Sequence, residues 1–377
     1  MSDTLTPPMQ SADCWTRREI WQQPQTLNET QRLLRDNQGE IERFLRPLME
    51  KTNLRIVLTG AGTSAFIGEC LAPWLSRETG RRVEAVATTD IVSAPDLYCE
   101  GDTPTLLVSF GRSGNSPESI AAADIAAAKI SDLHHLVITC NPDGALARDP
   151  GTHSHVVVLP KATHDHGFAM TSSFSAMMLA ALSILSGVAA LETRIDAICQ
   201  AVSDILHNAD TAMADLAQRN FSRVVYLGSG VFEGLARESA LKLLELTDGG
   251  IVTAFDTPMG FRHGPKTFVT TETLVMVYVS NDPYTARYDR DLIAELRADN
   301  IAAGIVTLSA KAEADDTIAV RNLGGACDAD LLFPYIVPAQ LFALHASLAR
   351  GMTPDTPNAT GTVNRVVQGV HIHPLNP

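Results

Sequence analysis

Basic charge is what this sequence has least of. Its 29 lysines and arginines face 43 aspartates and glutamates, a formal net charge of −14, so no surface of the kind that neutralises a nucleic-acid backbone is expected. Charged residues of both signs make up only 19% of the chain, and an anionic ligand must therefore be recognised by a few local groups. Long apolar runs are missing too. The longest, Ala176 to Ala190, is interrupted by Ser183, Ser186 and Gly187 and falls short of the ~20 residues that cross a bilayer; a buried helix is expected there. Cysteines stand at 14, 70, 99, 140, 199 and 327 with no C-x-x-C pair, which leaves reduced thiols rather than a disulfide frame or a cysteine metal site. The opening MSDTLTPPMQ has neither the basic start nor the apolar core of a secretory leader. A cytoplasmic globular protein without membrane or nucleic-acid partners is the expectation, and 45% hydrophobic residues over 377 positions suffice for more than one core.

What is present is organised around SFGRSGNSPES, Ser109 to Ser119, between the apolar run TLLV and the alanine-rich IAAADIAAAKI. Strand, hydroxyl-rich turn and helix start follow one another here. Gly111 and Gly114 let a ligand approach the backbone, Ser113, Asn115 and Ser116 supply short polar side chains, and Pro117 presets the first helical turn. Unpaired N–H groups and the helix dipole then favour an oxyanion, and phosphate can be held without a lysine cluster. The same composition would also serve a plain capped turn. A second turn of the same build, TGAGTSAFIGE from Thr59 to Glu69 after the run LRIVL, favours the ligand. It lacks the Lys-Ser/Thr ending of a P-loop and the spacing G-x-G-x-x-G, so a small phosphorylated molecule is expected rather than a nucleotide.

Before these turns, TRRE at Thr16 to Glu19 suggests a capping box, and LNETQRLLRD and GEIERFLRPLMEK have helical periodicity. From Leu54 to about Ala190, strands LRIVL, VEAVAT, TLLVSF, HLVITC and HVVVLP alternate with helices, as in a mainly parallel sheet covered on both faces. Ile195 to Asn220 reads as a helical connector. A second set runs through RVVYLGSG, a long helix ending near Leu246, TLVMVYVS, AGIVTLS and a last strand near ADLLFPYIV. Its opening VVYLGSG echoes IVLTGAG, so two similar α/β halves are expected.

Three clusters could carry chemistry. Glu238, Lys242 and Glu245 share one helix face; such a trio is common surface decoration, but this helix opens from a glycine turn at a strand end, where α/β sheets hold ligands. His263 lies in a loop between Arg262 and Gly264–Pro265, a setting that suits an acid or base near neutral pH. His164, Asp165 and His166 suggest a metal only weakly, with no H-E-x-x-H or cysteine pair beside them, and no metal or cofactor is expected. The polar tail GMTPDTPNATGTVNRVVQGVHIHP is either a loose end or a segment folded over a site.

Taken together, TRREIWQQP, TGAGTSAFIGE, SFGRSGNSPES, THDHGFAMTSSF, ARESALKLLELT, GFRHGPKT and TPDTPNATGTVNRVVQGV resemble the galactosamine-6-phosphate deaminase/isomerase family, also called tagatose-6-phosphate ketose/aldose isomerases, over nearly the whole chain. The resemblance implies two flavodoxin-like sugar-isomerase (SIS) domains with parallel sheets: a helical segment over 1–52, a first SIS domain with the phosphate turns over 53–192, a connector over 193–219, a second SIS domain over 220–350, and a tail over 351–377 folded over the site. It also implies a homodimer with a shared active site and a phosphosugar substrate. The family is similar in turn to the isomerase half of glucosamine-6-phosphate synthase. By that likeness Thr63, Ser64, Arg112, Ser113 and Ser116 fall on phosphate-binding positions, and Phe168, Ala169 and Thr171 lie where backbone meets sugar. Glu245 falls on the carboxylate that shuttles a proton between C1 and C2, Lys242 on its neighbouring lysine, and His263 on the ring-opening histidine, which the relative takes from its partner subunit. The synthase's Schiff-base lysine has no counterpart in TPNATGTVNRVV. The implied activity is hydrolytic, isomerising deamination of D-galactosamine 6-phosphate to D-tagatose 6-phosphate and ammonia. Isomerisation of a nitrogen-free phosphosugar, deamination of the gluco epimer, and binding without turnover are the alternatives.

Overall fold

The computed structural model describes residues 13–311, 317–367 and 369–375. Two compact units make up the chain, and neither is a single stretch. One holds Gln25–Asp165, Ser172–Ile195 and the described part of Gly361–Pro377; the other holds the described part of Met1–Pro24, His166–Thr171 and Asp196–Thr360.

The chain starts with α1 (Trp15–Trp21), α2 (Gln23–Asp36) and α3 (Gln38–Met49). The expected capping box does not form. Cys14 is the N-cap of α1 with no side-chain cap bond, and the exposed amides of Trp15 and Thr16 instead donate to the Asp355 carboxylate at 2.8 and 2.9 Å. An acceptor from the far end of the chain has replaced the local one.

The first sheet follows as β1 (Arg55–Thr59), α4 (Thr63–Thr79), β2 (Arg82–Ala85), α5 (Thr88–Ser93), α6 (Pro95–Tyr98), β3 (Thr105–Gly111), α7 (Pro117–Lys129), β4 (Leu133–Thr139), α8 (Ala145–Arg148) and β5 (Ser154–Val158), then α9 (Ser172–Ser186) and α10 (Val188–Glu192). All strands are parallel in the order β2-β1-β3-β4-β5. Because both faces are covered, β1 is buried at every residue. Val57 and Leu107 pack on α5 and α7 through Ile91, Ala122, Ile125 and Ala126; the alternate strand residues face the other way, and α4 and α9 pack together. Every α9 residue from Ser172 to Leu185 is buried, as apolar character on all sides demands.

The second unit continues with α11 (Ile195–Gln218), β6 (Arg223–Gly228), α12 (Val231–Leu246), β7 (Val252–Asp256), α13 (Pro258–Phe261), β8 (Thr273–Tyr278), α14 (Thr285–Asp299), β9 (Gly304–Ser309), β10 (Thr317–Ala319) and α15 (Asp328–Ala349). Its parallel order, β10-β9-β8-β6-β7, repeats that of the first sheet read from the other edge. The repeat extends to the turns. Gly62 before α4 has φ 56° and ψ −129°, and Gly230 before α12 has φ 60° and ψ −120°. A Cβ on Gly60 or on Gly228 would sit 2.5 Å from the Cβ of Ser64 or Phe232, so both strand-to-helix turns require glycine. The chain thus carries two parallel α/β domains of one topology.

One expectation fails outright. ADLLFPYIV is not a strand but part of the 22-residue helix α15. A continuous apolar run does not distinguish a buried strand from a buried helix, and this one joins QLFALHASLA into a single core helix. Phe232, Tyr278 and Tyr335 stack within that core, with ring centroids 5.1 to 6.3 Å apart. By length and composition α15 could cross a membrane, but 89% of its most apolar window is buried inside the protein.

Candidate active site

In the first sheet the strand order reverses between β1 and β3, which lie side by side with Thr59 opposite Ser109. Open α/β sheets hold ligands in the crevice beyond the carboxyl ends of strands at such a reversal. Both hydroxyl-rich turns leave from these two ends. Thr63 and Ser64, both buried, open α4; Arg112 directly follows β3 and is buried; Ser116 caps α7 with Pro117 behind it.

The second turn is braced from the end of β4. Thr139 Oγ1 donates to the Gly111 carbonyl at 2.6 Å, Asn141 Nδ2 to the Ser113 carbonyl at 2.8 Å, and the Ala145 amide to Asn115 Oδ1 at 2.9 Å. Gly114 has φ 64°, and a Cβ on Gly144 would lie 2.5 Å from the Ser113 carbonyl oxygen, so glycine is needed on both sides of that contact. Ser116 and Ser119 share a hydroxyl bond of 2.6 Å. The result is a rigid cradle with one guanidinium, suited to a phosphate dianion.

The histidines of the suspected metal cluster have other surroundings. Asp165 accepts from Ser172 Oγ, from the Ser173 amide at 2.8 Å and from Ser173 Oγ at 2.5 Å, capping the start of α9. His166 stacks on Trp15 at 4.5 Å. Among the described residues no group of three His, Cys, Asp or Glu is arranged to hold a metal ion.

In the second-sheet unit, α12 carries the trio expected from spacing. Glu238 and Lys242 are both fully buried, 0% exposed, which sets them apart from surface decoration. Lys242 Nζ lies 3.5 Å from Glu238 Oε1 and hydrogen-bonds Glu245 Oε2, while the Glu245 side chain keeps 25% exposure. The ammonium fixes a carboxylate whose outer edge is open, and a base that must meet a ligand needs that geometry. His263 is exposed on a loop pinned at both ends: Arg262 pairs with Glu295 at 2.6 Å, and Lys266 pairs with Glu295 and, at 2.5 Å, with Asp299.

A Streptomyces coelicolor D-galactosamine-6-phosphate deaminase AgaS is similar to this chain, 48% identical over 379 residues that cover 98% of each. The chain belongs to the AgaS family. An Escherichia coli D-galactosamine-6-phosphate deaminase AgaS is 45% identical over 390 residues, covering 99% of both. The crystal structure of tagatose-6-phosphate ketose/aldose isomerase from Escherichia coli matches with a TM-score of 0.90 at 41% identity, over 99% of this chain and all of that one. Residues 48–186 match the SIS domain, and the repeated topology makes the second sheet another domain of this fold.

Within this AgaS family member the two sheet reversals differ in one respect. Beyond β6 and β8, Ser229 Oγ donates to Asp289 Oδ1 at 2.6 Å and the Ser280 amide to Asp289 Oδ2 at 3.0 Å. A protein carboxylate therefore fills the place where the first sheet presents hydroxyls and a guanidinium. Asp289 is the fifth residue of α14, and the fifth residue of α7 is Ala121. Burial pushes the Asp289 carboxyl up to about 6 from 3.8. The folded state thus holds this proton more tightly than the unfolded chain, so its contribution to stability is full below pH ~4 and declines until pH ~6. Asp289→Asn should remove the decline: between pH 4 and pH 7 the wild type should lose up to about 3 kcal/mol relative to the variant in denaturant titrations. Parallel curves for the two proteins would refute it.

Two residues near the proposed contacts escaped the sequence reading. Arg112 Nη2 donates to the Arg365 carbonyl at 2.9 Å, and the Arg365 guanidinium donates to the Asp165 carbonyl. The tail drew notice for the lysine it lacks, and its arginine was the available signal. Glu19, inside TRREIWQQP, is the other.

Proposed function

We propose that the protein is an enzyme that converts D-galactosamine 6-phosphate and water into D-tagatose 6-phosphate and ammonia. The observation that carries the reading is the buried Lys242 holding Glu245 with one edge open, in a chain whose relatives are named for this deamination. The 6-phosphate is assigned to Thr63, Ser64, Arg112, Ser113 and Ser116, with the tail at Arg365 closing over Arg112, and the sugar backbone contacts to Phe168, Ala169 and Thr171. His263 moves a proton between the ring oxygen and the anomeric hydroxyl and opens the pyranose. Glu245 then takes the C2 proton, giving an enolamine, and returns it to C1. The C2 imine that results adds water and expels ammonia, leaving the ketone. Lys242 holds the Glu245 carboxylate in place through both transfers. The substrate brings its own nitrogen, so no Schiff-base lysine is required, and a positioned carboxylate with hydrogen-bond donors carries the shift without a cofactor.

The name of the Escherichia coli structure favours a second reading, the same C1–C2 shift on a phosphosugar without nitrogen. Ammonia release separates the two. Purified protein with chelator present should release ammonia from galactosamine 6-phosphate and far less from glucosamine 6-phosphate. Equal release from both would remove the C4 preference, and release from neither would remove the deaminase.

The enzyme is further proposed to be cytoplasmic and a homodimer with a shared site. Edge strand β7 exposes Val252 and Phe255, with Met259 and Leu244 also exposed in the same unit, and an unprotected apolar edge strand invites a partner. Sedimentation at the mass of one chain would contradict the dimer.

A further inference from the structure

Helix α1 pairs with neither sheet, and its motif TRREIWQQP takes no part in the chemistry above. Seven residues are too few for a helix to be stable alone; α1 is held by anchors. At its start, Asp355 accepts from the amides of Trp15 and Thr16 and from Thr16 Oγ1, the last at 2.8 Å. At its middle, the buried Arg17 pairs with Asp210 of α11 at 3.0 Å, and Asp210 also meets His345 of α15 at 2.7 Å. These contacts join α1 to two long helices of the second-sheet unit and to the segment after α15.

The helix in turn grips His166 and Gly167, the start of the stretch that leads into Phe168–Thr171. The Glu19 carboxylate, buried at 2% exposure, accepts the amide of His166 at Oε1 and the amide of Gly167 at both oxygens, 3.3 and 3.1 Å. Trp15 lies against the His166 ring. The approach is close enough that a Cβ on Gly167 would stand 2.8 Å from Thr16 Oγ1 and 2.9 Å from Glu19 Oε2. A charged acceptor on two successive amides fixes the orientation of both peptide planes, because charge-assisted hydrogen bonds are shorter and stronger than neutral ones. The peptide groups that follow inherit that orientation.

We infer that α1 is a buttress for the sugar-contacting backbone, with Glu19 as a positioning residue for Phe168–Thr171. The inference rests on the reading that this backbone faces the sugar. It explains why the chain opens with this motif: Glu19 sets the loop, Thr16 and Trp15 fasten the helix to Asp355, and Arg17 fastens it to Asp210. The consequence is a division of labour in binding. The phosphate cradle is built elsewhere in the chain, so loss of Glu19 should weaken recognition of the sugar and leave recognition of phosphate alone.

The test compares wild type, Glu19→Ala, Glu19→Asp and Glu19→Gln. Glu19→Ala should lose about 10- to 100-fold in kcat/KM, the cost of a misplacement of about 1 Å. Its affinity for tagatose 6-phosphate should fall about tenfold while its affinity for inorganic phosphate changes less than twofold, with amides 166–171 exchanging faster. Gln keeps one carbonyl oxygen able to accept both amides and should stay within about threefold of wild type. Should the alanine variant fail to fold, Asp, one methylene shorter, withdraws the acceptor and should show the same selective loss. Wild-type affinity for the sugar phosphate in Glu19→Ala, or an equal loss for phosphate and sugar phosphate, overturns the inference. If wild type releases no ammonia, the proposed reaction falls, and the ratio of the two affinities still decides the role of Glu19.

Discussion

Glu245→Gln should bind the phosphosugar as wild type does and fail to turn it over, with kcat down about 10³- to 10⁴-fold. Gln has the shape of Glu and still offers an oxygen to Lys242, so the buried arrangement on α12 survives. What it lacks is the basicity to remove the C2 proton. General acid–base groups contribute rate through proton transfer in the transition state rather than through ground-state affinity, and the effect should therefore appear in kcat with the dissociation constant unchanged. Single-turnover kinetics and product binding on the same preparation check it. A variant within tenfold of wild-type kcat would place the base elsewhere.

Lys242→Met should cost roughly 3–5 kcal/mol of stability, because it leaves the fully buried Glu238 without the cation 3.5 Å away. For a chain of this size that corresponds to a fall in Tm of about 10 °C. Replacing both groups, Lys242→Met with Glu238→Gln, should recover part of the loss, since the cost comes from the uncompensated buried charge and not from the missing attraction. Thermal unfolding of the two single variants and the double variant measures this. Additive losses would show that the two side chains do not share one buried pair. The pair is therefore a structural requirement of α12 as well as the support of Glu245, and activity lost in Lys242 variants must be read against their stability.

The parts of this architecture that were legible before the coordinates are those written in short-range patterns. Runs such as Arg55–Thr59 and Thr105–Gly111 are continuous and apolar because both faces of a parallel sheet are covered, and the glycine turns after them announce the strand-to-helix transitions. The echo between IVLTGAG and VVYLGSG corresponds to near-identical backbone angles at Gly62 and Gly230. What was not legible depends on long-range partners or on burial. Thr16 and Glu19 have the spacing of a capping box, but their partners stand 339 and 147 residues away. The spacing of Glu238, Lys242 and Glu245 puts them on one face and says nothing of whether that face meets solvent or core. β7 was missed because an edge strand with Val252 and Phe255 exposed has no buried run to betray it. α15 was misread in its first half because core helices and core strands are equally apolar. Asp165, grouped with its neighbouring histidines by sequence, belongs instead to the start of α9 seven and eight residues on.

The most direct test of the central claim is to follow nitrogen and carbon together. Purified protein is given galactosamine 6-phosphate, and ammonia and tagatose 6-phosphate are quantified over one time course. The account predicts one equivalent of each for every equivalent of substrate consumed, and neither product from Glu245→Gln. Consumption of substrate with the nitrogen retained on the sugar, or tight binding of the phosphosugar with no consumption by the wild type, would contradict it.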